Sequence, residues 1–196
     1  MKYQIKSKTD LAFFIMEDSK FYPSAKFGDR ILERPKYMIK KYLYYLRNSE
    51  YALNVLQNSS GIIRIIGKIL QIYYHYRMRR LSWKLGFQFG ENVFGPGVNI
   101  YAYGTIIINP GAKIGKNCTI YPGVSIGGKV ENGCPVIGDN CFIGLGAKIL
   151  GGVVIGDNVY IAPNAVVVKD IESNSVVGGV PAKVIKKRNE TFIQKN

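Results

Sequence analysis

An aliphatic residue recurs every six positions through the second half of the chain. The beat runs Ile108, Ile114, Ile120, Ile126, then pauses for eleven residues and resumes at Ile137, Ile143, Ile149, Ile155, Ile161 and Val167. Most of these residues are followed by Gly or another small residue, and Ala, Val or Cys stands four places on. Examples are Ile114-Gly-Lys-Asn-Cys118, Ile143-Gly-Leu-Gly-Ala147 and Ile155-Gly-Asp-Asn-Val159. A strand-and-turn unit this short cannot bury its apolar side alone. Stacked units can, because each coil covers the one below. The pattern predicts a parallel β-helix with one short strand per hexad, three strands to a triangular coil, and the aliphatic residues pointing inward.

The spacing carries an internal check. Gly138-Asp139-Asn140 recurs 18 positions on as Gly156-Asp157-Asn158, so the two corners are expected one above the other. Gly and Asn suit such corners because they tolerate left-handed backbone angles. Gly115-Lys116-Asn117 precedes the first of these by 23, an excess of five that also separates Ile126 from Ile137. The excess predicts a protruding loop at Gly127–Val136 rather than a break in the stack. Upstream, Ile100 and Ile108 are eight apart instead of six, which predicts a two-residue bulge within Tyr101–Ile107. Bulges in regular β-structure often re-aim a side chain.

The first half lacks the hexad and reads as helical. Residues 35–56 carry a long aromatic-aliphatic pattern, with Asn48-Ser49 as the expected break or cap. A second helix is expected at about 60–82, started by Ser59 or Ser60. There Arg64, Lys68, Gln71, His75 and Arg79 form one polar stripe of 3.6-residue period, surrounded by isoleucines and tyrosines. A helix this apolar is expected to pack against the rest of the protein or a partner subunit, and a basic amphipathic helix can also lie on a membrane surface. His75, the only histidine, reads as a solvated residue on the polar stripe and a weak catalytic candidate.

The organisation expected is an α-helical region at 1–84, the β-helix at 85–186 and a tail at 187–196. Most of the net charge of +14 belongs to the first half, where 17 Lys and Arg face 6 Asp and Glu in residues 1–84. A basic face can meet anionic substrates or lipid head groups, but no nucleic-acid motif accompanies it. No run of 18 uninterrupted apolar residues and no secretory leader is present, which makes a cytoplasmic location the default, with contact at the inner face of the membrane left open. Cys118 and Cys141 share the small inward slot of the beat and read as core. Cys134 falls in the predicted loop. Neither a disulfide nor a metal site is suggested.

Three segments carry a family resemblance. Phe94-Gly-Pro-Gly-Val-Asn-Ile-Tyr-Ala-Tyr-Gly-Thr-Ile-Ile-Ile-Asn-Pro-Gly-Ala-Lys-Ile-Gly115, Ile143-Gly-Leu-Gly-Ala-Lys-Ile-Leu-Gly151 and Val177-Gly-Gly-Val-Pro-Ala-Lys-Val-Ile185 resemble the serine O-acetyltransferase branch of the hexapeptide-repeat acyltransferases. The form Tyr-Gly-Thr-Ile-Ile-Ile-Asn looks closest to relatives of capsule and exopolysaccharide biosynthesis. The resemblance implies a left-handed parallel β-helix, direct transfer of acetyl from acetyl-CoA to a hydroxyl, and a histidine as general base on the acceptor.

That histidine belongs in a segment Ile-x-His-x-Gly. Here the segment reads Ile100-Tyr101-Ala102-Tyr103-Gly104, so Ala102 stands where the base is expected. Tyr101 stands where serine acetyltransferases carry an orienting Asp, and Cys134 where they carry a further His. Either Ala102 replaces a native His, made to hold substrates without turnover, or the protein is an inactive relative. Tyr103 or Tyr121 could serve as base only with a pKa far below the usual value of about 10.

The resemblance further implies an acceptor site at Tyr101, Tyr103, Asn109, Tyr121 and Cys134. It implies a coenzyme A groove at Gly144, Leu145, Ala162 and Pro163, with Lys169 and Lys183 for the phosphates. A groove between prisms implies a homotrimer, with pairing of trimers left open. The departures at Tyr101, Ala102 and Cys134 point away from L-serine, so a saccharide acceptor of capsule or exopolysaccharide synthesis is the leading expectation. Serine acetylation and a catalytically dead coenzyme A-binding scaffold are the alternatives.

Overall fold

The computed structural model describes residues 3–22, 27–128 and 133–187. Its second half winds through five coils. The first passes through β1 (Phe87–Gln88), a single bridge at Phe94 and β2 (Asn99–Ile100). The second holds β3 (Ile106–Ile108), β4 (Lys113–Ile114) and β5 (Thr119–Ile120). The third holds β6 (Ser125–Gly127), β7 (Val136–Ile137) and β8 (Phe142–Ile143). The fourth holds β9 (Lys148–Leu150), β10 (Val154–Ile155) and β11 (Tyr160–Ile161). The fifth holds β12 (Val166–Val167), a bridge at Ile171 and β13 (Ser175–Gly178). A final strand, β14 (Lys183–Lys187), returns antiparallel along β13.

Strands of successive coils pair in parallel and make three faces: β1-β3-β6-β9-β12, then β4-β7-β10, then β2-β5-β8-β11-β13 with β14 at its edge. The core is the set of inward columns that the beat predicts. Ile100, Ile120, Ile143, Ile161 and Val177 form one, each no more than 1% exposed. Burying each such side chain contributes roughly 1.5–3 kcal/mol. Cys118 and Cys141 are buried in neighbouring coils, where each thiol lies against carbonyl oxygens of a corner.

The 23-residue interval does not shift the register. Ile114 pairs with Ile137, which pairs with Ile155, so the five extra residues stay in the loop between β6 and β7. Residues 129–132 of that loop lie outside the described residues. The corner repeat stacks as its spacing predicts. The Asp139 carboxylate accepts from the Lys116 amide at 3.0 Å, and Asp157 accepts from the Asp139 amide at 2.6 Å. The next residues, Asn117, Asn140 and Asn158, all take left-handed backbone angles (φ 55, 56 and 58°), as does Asn174 one coil further on (φ 57°).

One irregularity escaped the hexad count. Ile171 stands four residues after Val167 and pairs with Ile155, so the last coil is 16 residues rather than 18. The chain cuts that corner, and the shortening persists to Val177, which pairs with Ile161.

The helical half consists of α1 (Lys8–Ser19), α2 (Phe27–Ile31), α3 (Pro35–Asn54) and α4 (Gly61–Leu85), with a 3₁₀ turn at Leu56–Asn58. Helix α1 begins at Ser7, whose hydroxyl accepts from the Asp10 amide. Helix α3 runs straight through Asn48-Ser49, where a break was expected. Asn48 binds the carbonyl of Tyr44 one turn back, and the buried Ser49 donates to Glu91, so both side chains are satisfied without ending the helix. Ser60 has the extended backbone of an N-cap, but its hydroxyl makes no capping bond, and the Ser59 hydroxyl binds Val55 instead. Helix α4 stops at Gly86, which adopts φ 80° and lies against Gly104 so closely that a Cβ there would sit 2.9 Å from the Gly104 carbonyl carbon. The apolar face of α4 was expected to meet the rest of the protein, a partner subunit or a membrane surface, and only the first of these can be seen within one chain. Most of the face does not meet the rest of the chain: Ile62, Ile65, Ile66, Ile69 and Ile72 are exposed. Of the tail expected at 187–196, all but Lys187 lies outside the described residues.

A buried ionic cluster fastens α1 and α3 to the first coil. Arg47 is fully buried. Its Nε lies 2.8 Å from Asp18 and one terminal nitrogen lies 3.0 Å from Glu50. The same guanidinium donates to the carbonyls of Phe94 and Gly95. Asp18 accepts in turn from the amides of Gly97 and Val98, and Glu50 from the amide of Asn92. Burial alone would lower the Arg47 pKa. The Asp18 and Glu50 charges outweigh it and push the pKa up. Replacing Arg47 with Met leaves two buried carboxylates without their cation. Urea denaturation should show a loss of about 3–5 kcal/mol; a loss under 1 kcal/mol would show that the cluster does not hold the lobe.

Candidate active site

The register stacks one residue from each coil along the edge where the third face ends. Tyr101, Tyr121, Gly144, Ala162 and Gly178 each follow an inward aliphatic residue, and each amide but the last donates to the next coil. Tyr101 donates to Ile120, Tyr121 to Ile143, Gly144 to Ile161 and Ala162 to Val177, at 2.8–3.1 Å. The column is aromatic at its upper end and small below. At Gly144 the space is closed: a Cβ there would lie 2.6 Å from the Pro163 nitrogen and 2.7 Å from the Ile161 oxygen. Leu145 is half exposed beside it, while Ala162 is half-buried and Pro163 exposed. The lower edge is therefore a wall of backbone and small side chains, against which an extended chain can lie.

The predicted bulge sits above that wall, between β2 and β3. Gly104 is tied to the Leu85 carbonyl, and Ile106 to that of Gly86. Ala102 and Tyr103 bow out between the fixed points at Tyr101 and Gly104. Ala102 is half-buried, and Tyr101 and Tyr103 on either side are 57% and 59% exposed. Tyr101 stacks on Tyr121 with ring centroids 4.3 Å apart, Tyr121 leans on Phe142, and Phe142 stacks on Tyr160. Tyr101 and Tyr121 were expected at the acceptor site, but the stacking of this four-ring ladder on the outer third face was not read from the sequence. Spacings of about one coil between aromatic residues were the available signal.

The ladder bears on Tyr121 as a substitute base. Partial desolvation, then the charge and hydrogen bond of Tyr101, push its phenol pKa up rather than down. Tyr121 is a proton donor at neutral pH.

Asn109 and Cys134 lie at a different edge, where the first face meets the second. The Asn109 side-chain oxygen accepts from the Gly111 amide at 2.8 Å, and the Cys134 thiol points at the same oxygen at 3.2 Å. Cys134 fits between Gly111 and Gly128, either of which would clash with it if it carried a Cβ. The strand β3 separates Asn109 from Ala102, so a single prism does not bring the two groups together. Lys169 and Lys183 are exposed near the last coil.

His75 is not simply solvated. Its Nδ1 lies 2.8 Å from Glu91, whose same oxygen accepts from Ser49 at 2.7 Å. With Arg79, Trp83, Gln88 and Pro110 it lines a groove of about 610 Å³ beside β1 and β3. Among the described residues no three His, Cys, Asp or Glu side chains converge as a metal site would require.

Comparison with known proteins bears on this arrangement. Residues 134–169, which include Cys134, Gly144, Leu145, Ala162, Pro163 and Lys169, match the family model described as bacterial transferase hexapeptide (six repeats). A serine acetyltransferase of Mycobacterium tuberculosis is 45% identical over 83 residues, 41% of this chain and 36% of that protein. The chain thus matches little more than a third of that relative's length. Among solved structures, the serine acetyltransferase of Neisseria gonorrhoeae superposes with a TM-score of 0.67 at 24% identity, covering 97% of this chain and 73% of that one. The serine acetyltransferase of Brucella abortus strain S19 in complex with coenzyme A superposes at 0.63 and 25% identity, covering 91% and 67%. The fold is the left-handed parallel β-helix of those structures, with a helical region before it.

These comparisons overturn the expectation of a capsule or exopolysaccharide enzyme. The relatives are named for serine, not for a saccharide. The sugar was inferred from the form of residues 103–109 and from side chains missing at Tyr101, Ala102 and Cys134; neither the likeness of a short segment nor a missing group selects an acceptor.

Glu91 supplies a test of the pair with His75. Burial would raise its pKa, but the bonds from His75 and Ser49 hold it below the ordinary 4.5. The folded pKa being the lower, this carboxylate's contribution to stability is present above pH 4.5 and lost as pH falls through the folded value. Denaturation midpoints between pH 3 and 6 should fall less steeply in Glu91→Gln than in the parent chain. Identical slopes would show that the pair contributes nothing.

Proposed function

We propose that the chain has the architecture of an acetyl-CoA-dependent serine O-acetyltransferase whose general base is absent. The observation that carries this reading is the edge that runs from the Tyr101–Tyr121 pair down the small-residue wall of Gly144 and Ala162. Its lower part lies within the segment that matches the hexapeptide transferases. Support comes from relatives named serine acetyltransferase, one of them solved with coenzyme A.

In this reading the wall of Gly144, Leu145, Ala162 and Pro163 receives the pantetheine arm, and Lys169 and Lys183 meet the phosphates. The thioester end is then delivered to residue 102. Tyr101, Tyr103 and Tyr121 surround the acceptor, and Tyr121 donates a hydrogen bond. Asn109 and Cys134 come from the other edge, which requires a second copy of the chain, and a closed trimer satisfies that requirement at all three clefts. A methyl group at 102 accepts no proton, so the chain binds its donor with little or no turnover. Ala102 also favours the related reading of a scaffold that holds coenzyme A without using it.

Replacing Ala102 with His should raise the rate of thiol release from acetyl-CoA in the presence of L-serine by about 10²–10⁴-fold. The parent chain should bind coenzyme A in calorimetry without that rate. If Ala102→His binds coenzyme A but stays at the background rate, residue 102 is not the base position. If neither chain binds coenzyme A, the transferase reading fails. Light scattering that finds a monomer would remove the two-copy cleft.

A further inference from the structure

Helix α4 carries an apolar face that the described residues leave largely uncovered. Its inward side is Gly67, Met78, Leu81, Ser82 and Leu85. On the opposite side Ile62, Ile65, Ile66, Ile69, Ile72, Tyr73, Tyr76 and Trp83 recur at spacings of three and four, and each is 46–83% exposed. Contiguous apolar patches of this kind mark a binding surface rather than ordinary solvent-facing helix. Its margins are basic. Arg64, Lys68 and Arg79 run along one side; Arg77, Arg80 and Lys84 close the other toward the helix end. The helix contains no Asp or Glu. Lys84 pairs with Glu33, and among the described residues no carboxylate pairs with the other five cations.

We propose that this face of α4 docks the protein on an anionic lipid surface. Charge decides the occupant. A second copy laid along the stripe would bring two helices together with six cations each and no anion, within a chain of net charge +14. An anionic bilayer offers the opposite sign. An interfacial helix buries one apolar face at the boundary between head groups and acyl chains and leaves its basic margins among the head groups. Long Lys and Arg side chains suit those margins because their stems lie on apolar surface while their charges stay wet. Tyr73, Tyr76 and Trp83 suit the same boundary, having an apolar body and a polar edge. The face lies along α4 and does not include the edge that carries Ala102, so this inference stands apart from the transfer chemistry. Among the described residues no helix is long and apolar enough to cross a membrane, so the contact is peripheral.

The chain supplies its own probe, since Trp83 is its only tryptophan and is 83% exposed. The full chain is titrated with unilamellar vesicles of phosphatidylcholine, with and without phosphatidylglycerol. With the anionic vesicles, Trp83 emission should move to shorter wavelength and the protein should sediment with the lipid. Neutral vesicles should produce neither effect, and added salt should reverse both. The double variant Ile65→Asp/Ile69→Asp should weaken partitioning at least about tenfold. Its thermal unfolding should be unchanged, because both side chains are solvent-exposed. Two results would overturn the proposal. One is Trp83 emission that anionic vesicles leave unmoved. The other is a double variant of lower mass in light scattering than the parent, which would show that another copy of the chain covers the face.

Discussion

A coil of a β-helix is stable only when another coil, or something like one, lies on each side of it. That constraint governs the upper end of this molecule, where the first coil has no coil above it. Helix α3 takes that place. Tyr42 packs edge-on against Phe87 and Phe89 and donates to the Phe89 carbonyl. The Tyr22 hydroxyl both accepts from the Ile100 amide and donates to the Ile100 carbonyl, as a strand would. Arg47 satisfies the carbonyls of Phe94 and Gly95. Buried ion pairs are weak sources of stability on their own. Here the cluster fixes the seat of the helices on the coil, because its carboxylates also hold the Asn92, Gly97 and Val98 amides. The bulge that carries Ala102 follows directly from β2 in this capped coil, so the geometry of the candidate site depends on the cap.

The two halves of the chain were legible to different degrees, and the reason is physical. In the β-helix each inward position repeats at a fixed interval, so Ile114, Ile137 and Ile155 announce both the stack and its insertion. The excess of five could only be a loop, because a slip of the register would have turned the later inward residues outward. The shortened last coil was hidden because Ile171 is an aliphatic residue in a position the beat does not mark. In the helical half, periodicity gives a helix and its faces but not its neighbours. Asn48 and Ser49 look like a break because such side chains usually compete with the backbone. Only the fold reveals that Ser49 has Glu91 to bind.

The candidate site shows the same division. The beat located the bulge, and the family resemblance singled out Ala102, Tyr101 and Tyr121 in and beside it. The continuation of the tyrosine pair into Phe142 and Tyr160 required knowing which outward residues stack. The acceptor was read wrongly because it was argued from the likeness of one short segment and from absent groups. A binding site is defined by the atoms that line it, and three departures from one pattern leave many linings open. The small-residue wall is a better guide, since Gly144 could not be larger without striking the coil beneath.

The excursion between β6 and β7 has a broader meaning. Strand β7 pairs with β4 above and β10 below as though the intervening residues were not there, so the stack does not sense how long the excursion is. Closing a surface loop costs only slowly more as it lengthens. The rim that carries Cys134 can therefore be lengthened, trimmed or rewritten over generations while the column at Gly144 and Ala162 stays put. Under the proposed function, donor recognition belongs to the repeating frame, and acceptor choice falls to a segment whose length the frame tolerates.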